Sequence, residues 1–96
     1  MTARKAENDM LMRCASAARN PAETAQDQRE ANVFRVAAMV VQSRLPGEAA
    51  SLMQVSNAYF FQHPAERLSA ADVVQKGWVF NLPRLRDMLS FKLLKE

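Results

Sequence analysis

From Ala31 to Leu45 the chain reads ANVFRVAAMVVQSRL, and its apolar positions recur at helical spacing rather than alternating. At about 100° per residue, Phe34, Ala37, Ala38, Val41 and Leu45 form one stripe, which Val33, Val36 and Val40 widen on one side. Only Asn32, Arg35, Gln42 and Ser43 gather into a polar strip, and it is narrow. A helix apolar around most of its circumference is one that others pack around, so this stretch is expected to be the centre of the fold. Upstream, Asn20 can cap a helix, Pro21 suits its first position and Glu23 stands at N3; downstream, Pro46 and Gly47 stop it. These signals predict one long helix over 21–45. Its first half, ETAQDQRE, is polar all round, so the helix is expected either to project one end past the core or to break near Glu30.

The flanking segments also carry helical periods. Over residues 3–19, Ala6, Met10, Cys14 and Ala17 share a face, with Leu11 and Ala18 beside them. A helix of mainly alanine buries little area, which leaves residues 1–19 as either a packed helix or a mobile arm. Ala49, Leu52, Met53, Tyr59 and Phe60 cluster on one face of a helix over 48–62, with Val55 at its edge and Phe61 opposite; His63, held extended by Pro64, ends it. In LSAADVVQKG, Ser69 is an N-cap, Asp72 completes a capping box, Leu68 and Val73 form a hydrophobic staple and Gly77 suits a left-handed terminus. A short helix over 70–76 follows. Asn81 caps a last helix over 82–95 that directs Leu82, Leu85, Met88, Leu89 and Leu93 inward. No stretch alternates at period two. The expected architecture is all-α: one domain, 1–96, a compact bundle of four to five helices around the 21–45 helix.

Composition adds one consideration. A 96-residue chain has a limited core, yet 49% of this one is hydrophobic. The surplus suggests a protein partner, a second copy included, and we expect a homodimer. Cys14 is the single cysteine, so an internal disulfide is excluded and a reducing compartment fits. The N-terminal MTARKAENDM lacks an apolar h-region and no apolar run approaches about 18 residues. The reading is cytoplasmic, with no membrane.

Charge and candidate chemistry narrow the function classes. The formal net charge of +3 is mild, and its excess lies at the C-terminal end, where Lys76, Arg84, Arg86, Lys92 and Lys95 face only Asp87 and Glu96. That bias permits nucleic-acid contact without demanding it. With one histidine, His63, and one cysteine, there is no zinc or iron ligand set. Two glycines, Gly47 and Gly77, exclude phosphate-cradling loops. Neither Cys14 nor a serine has the setting of an activated nucleophile, and Glu23, Asp27 and Glu30 read as a solvated face. No catalytic residue, cofactor, metal or small-molecule substrate is expected.

Two binding readings remain. The preferred one is a noncatalytic protein–protein interaction module, a regulator, inhibitor or chaperone-like adaptor. Its apolar surface would be built from Phe61, Trp78, Phe80, Phe91 and Leu94, with Arg84 and Arg86 at the rim. The alternative is a helix-turn-helix DNA-binding regulator using helices 70–76 and 82–95, where Arg84, Asp87 and Ser90 point outward and Arg86, Lys92 and Lys95 approach phosphates. Against it, the connector from Gly77 to Asn81 is long and apolar for that motif, and Phe91 and Leu94 share the outward face.

Overall fold

The computed structural model describes the backbone of residues 2–95 and the side chains of residues 5–95. Five α-helices follow one another: α1 (Thr2–Arg19), α2 (Gln28–Val41), α3 (Pro46–Gln62), α4 (Ala70–Gln75) and α5 (Leu82–Lys95), with a 3-10 turn at Pro64–Glu66. The all-α bundle is as expected, and no strand occurs among the described residues. The Cα radius of gyration is 12.1 Å, close to the roughly 12.5 Å of a chain this long packed as one body.

The central helix is α2. Every residue from Glu30 to Ala38 is buried, which at 100° per residue means that α2 is covered on all sides. α3 makes its most extensive contact, and α5, α1 and α4 cover the remainder. Phe34 and Val33, Val36 and Val41 are fully buried along it. Burial of four such side chains contributes on the order of 6–12 kcal/mol of gross hydrophobic stabilisation.

The span of α2 is shorter than the 21–45 helix the sequence predicts, at both ends. Asn20 does turn the chain, but its Oδ1 accepts from the Ala22 N–H at 3.1 Å and no helix follows. Residues 23–26 run without regular structure, and the helix starts after Asp27, whose Oδ1 accepts from the Glu30 N–H at 2.9 Å. The reason is Arg13 on α1. Its Nε donates to Glu30 Oε2 at 2.9 Å, its Nη1 to Glu23 Oε1 at 2.9 Å, and its Nη2 to Glu30 Oε1 at 3.0 Å and to the Thr24 carbonyl at 3.1 Å. One guanidinium therefore draws both carboxylates and a backbone carbonyl onto α1, and a continuous helix cannot present all three. At the other end the backbone turns at 42–44 before Pro46 opens α3.

This arrangement also corrects the reading of Glu23 and Glu30 as a solvated face. Glu30 is buried against Arg13 and also accepts from the Gln26 N–H at 3.0 Å. The Arg13 bond, with a second from Ser16 Oγ at 3.0 Å, holds the Glu23 carboxyl below its usual pKa.

Two members of the polar strip, Asn32 and Arg35, are buried too, whereas Gln42 and Ser43 are exposed in the turn after α2. Asn32 is inaccessible to solvent: its Nδ2 donates to the Gln28 and Glu66 carbonyls and its Oδ1 accepts from the Leu68 N–H. Arg35 donates to the Leu68 carbonyl and lies against Met39 Sδ. Asn32 and Arg35 thus satisfy the backbone of the segment between α3 and α4 where no helical partner exists. Small residues let α1 approach α3: Ala17, Ala18 and Ala49 are buried, and Ser51 Oγ donates to the Ala17 carbonyl at 2.6 Å. Ser56 Oγ, likewise buried, donates to the Ala31 carbonyl at 2.8 Å.

The helix caps in the second half of the chain follow the sequence. Ser69 Oγ accepts from the Asp72 N–H, and Asn81 Oδ1 accepts from the Arg84 N–H at 2.7 Å. Gly77 takes φ +77, the left-handed region where a Cβ is strained.

Candidate functional site

The segment from Gly77 to Asn81 cannot continue α4 once Gly77 has turned, and α5 starts only at the Asn81 cap. Its apolar residues therefore meet different surroundings. Val79 tucks into the core, Trp78 is half-buried, and Phe80 remains 74% exposed. Opposite them, α1 presents Ala6, Met10 and Leu11, while α5 contributes Leu85 and Met88. Between these walls lies an open groove of about 220 Å³.

Among the described residues, three charged side chains line the groove: Glu7, Arg29 and Arg84. Arg84 donates from Nε and Nη2 to the Glu7 carboxylate at 3.2 and 3.1 Å, with its guanidinium 5.4 Å from the Phe80 ring centroid. Arg29 forms no ion pair among the described residues, and its Nε is buried without a hydrogen-bond partner. Trp78 carries Lys76 Nζ at 5.6 Å from its ring.

The residues proposed for partner binding fall into two places. Trp78, Phe80 and Arg84 come together at the groove. Phe91 and Leu94, 68% and 67% exposed, lie one turn apart on the outer face of α5, with Lys95 Nζ 5.7 Å from the Phe91 ring. Phe61, 87% exposed, belongs to α3, which shares no substantial packing with α5. Arg86 Nε donates to Asp87 at 3.0 Å and Arg44 Nη1 lies 3.6 Å from the same carboxylate; Arg86 holds the Asp87 carboxyl below its usual pKa.

The helix-turn-helix set is placed differently from its expected pattern at one position. Ser90 is buried, not outward, with its Oγ lacking a hydrogen-bond partner. α5 packs on both α2 and α1, so its inward face is wide enough to include Ser90 beside Leu89. Arg84, Asp87 and Lys95 are exposed, and Arg86 and Lys92 are half-buried. Arg84 and Arg86 are each engaged by a carboxylate of this chain.

Cys14 is fully buried, and burial pushes its thiol up to about 12. His63 stands 3.5 Å from Glu66 and stacks on Tyr59, on the surface. Among the described residues no cluster of His, Cys, Asp and Glu is placed to hold a metal ion, and no helix is long and apolar enough to cross a membrane.

The sequence assigns Met10, Leu11 and Met88 to packing and leaves Arg29 in a polar run, yet these four complete the groove. A signal for Arg29 did exist: its spacing to Val33 and Val36, four and seven residues, puts it on their face of α2. The assumed start at Pro21 hid it within a polar run. Comparison of the chain with family models, with curated proteins and with solved structures finds no match.

Proposed function

We propose that this chain is a small noncatalytic interaction module that binds protein through the outer face of α5, and that its first partner is a second copy of itself. The observation that carries the reading is the pairing of Phe91 and Leu94, two large apolar side chains mostly exposed on one face of one helix. Such a pair gains by being covered. A two-fold interface lets the same pair serve both copies, α5 against α5. Aromatic anchors of this kind dominate interface energetics, and Lys92 and Lys95 beside them supply a polar rim. A cytoplasmic setting suits a chain whose one thiol is buried and unpaired.

The DNA-binding alternative has less support. Arg84 and Arg86 are neutralised within the chain, Ser90 faces inward, and two apolar side chains occupy the surface a phosphate backbone would meet. Sedimentation equilibrium tests the proposal. The wild-type chain is expected to be a dimer, and Phe91→Ser with Leu94→Ser a monomer of unchanged helical circular dichroism. A wild-type monomer at every concentration removes self-association, and a dimer that survives both substitutions removes α5 as its site. A salt-dependent complex with duplex DNA, weakened by Arg84→Ala with Arg86→Ala, would put the alternative first.

A further inference from the structure

We propose that the groove between α1 and the Gly77–Asn81 connector binds a small amphipathic carboxylate, a linear apolar chain ending in one carboxylate group. The inference does not depend on how α5 is used.

The walls set the body of the ligand. Met10, Leu11, Trp78, Phe80 and Met88 line the groove, and thioether side chains adapt to an unbranched chain without a fixed shape. The volume of about 220 Å³ equals the share of roughly seven waters at about 30 Å³ each. That suits a short aliphatic chain.

The charges set the head group. Glu7 and Arg84 neutralise each other across the groove, so among the described residues the lining carries one positive charge without an ion-pair partner, on Arg29. A second depression, which shares Ala6, Met10 and Arg29 with the groove, is lined by Asp9, Asp27 and the Arg13–Glu30 pair, and among the described residues none of these carboxylates forms an ion pair with Arg29. A half-buried guanidinium that lines an apolar groove and pairs with no carboxylate among the described residues is matched by a single carboxylate, which it holds in charge-assisted hydrogen bonds. A doubly charged phosphate fits less well, because Glu7 stands in the same lining. A cationic head would meet Arg29 as a like charge.

Trp78, the chain's one tryptophan, lies in the groove wall, so its fluorescence reports occupancy directly. Titration with octanoate is expected to give a saturable change in Trp78 emission, at a Kd roughly tenfold below that of octanol. Octylamine is expected to bind more weakly than octanol. Arg29→Met should bring octanoate to the octanol value and leave octanol unchanged, whereas Phe80→Ala, at an exposed position, should weaken both. If Arg29→Met loses its helical circular dichroism, Arg29→Gln takes its place with the same expectation. No saturable change with octanoate overturns the proposal. So does equal affinity for octanoate and octanol in the wild-type chain, or a carboxylate preference that survives loss of Arg29.

Discussion

Arg13 offers the sharpest test of how this fold is held. Replacing it with methionine keeps the aliphatic stem but removes two bonds to Glu30, one to Glu23 and one to the Thr24 carbonyl. The Glu30 side chain is 8% exposed, so in the variant a nearly buried carboxylate keeps only the Gln26 N–H and its place at the start of α2. Breaking a buried pair by removing one partner costs about 3–5 kcal/mol. Arg13 and Glu23 are each about one-quarter exposed, which reduces the expected loss to about 2–4 kcal/mol. Against a domain stability of about 5–15 kcal/mol that is a large fraction, equivalent to a fall in Tm of about 10–30 °C. Urea unfolding followed by circular dichroism measures it. The double variant Arg13→Met with Glu30→Met removes the stranded charge and is expected to recover at least about 1 kcal/mol. A loss below about 1 kcal/mol for Arg13→Met, or a double variant no more stable than the single, would refute the account of α2 as a helix whose start is set by Arg13.

The same network predicts the acid limb of stability. Glu23 has a lowered folded-state pKa, so its contribution is present above the unfolded value of about 4.3 and is lost as the pH falls through the folded one; Arg13→Met should flatten stability over that window. Tyr59, the one tyrosine, donates to Glu66 at 2.6 Å, and that bond raises its pKa to about 12. Its protonated form is favoured in the folded chain, so this contribution holds below the unfolded value of about 10 and is lost as the pH rises towards 12; tyrosinate absorbance should titrate near 12 in the wild type and closer to 10 in Glu66→Ala. Cys14, fully buried with its thiol raised to about 12, should react with a thiol reagent only as fast as the chain opens. Rapid labelling of the native protein would show that α1 leaves the bundle on its own.

Phe61, Phe91 and Leu94 show how far a helical period reaches. The period turns all three away from the inward stripes of their helices, and all three are exposed. The period says which side of a helix a residue occupies, but not which neighbour lies there. Ser90 fails for that reason: it sits at the edge of the inward stripe, and the second neighbour on α5 buries it.

The sequence by itself determined the all-α class, a count of four to five helices, the central place of the Ala31–Leu45 stretch and the caps at Ser69, Gly77 and Asn81. Each of these rests on contacts within a few residues or on a period that a helix imposes whatever surrounds it. Tertiary structure decided the rest. Asn20 with Glu23 and Asp27 with Glu30 are two start signals of equal spacing, and local chemistry does not rank them; Arg13, reaching from α1, selects the second. Asn32 and Arg35 look solvent-facing until the 63–69 segment folds across them and takes their hydrogen bonds. The groove has no local signature, because its walls come from α1, α2, the connector and α5 and exist only once those elements pack. Charge pairing across 77 residues, as between Glu7 and Arg84, is a property of the fold and not of any stretch of the chain.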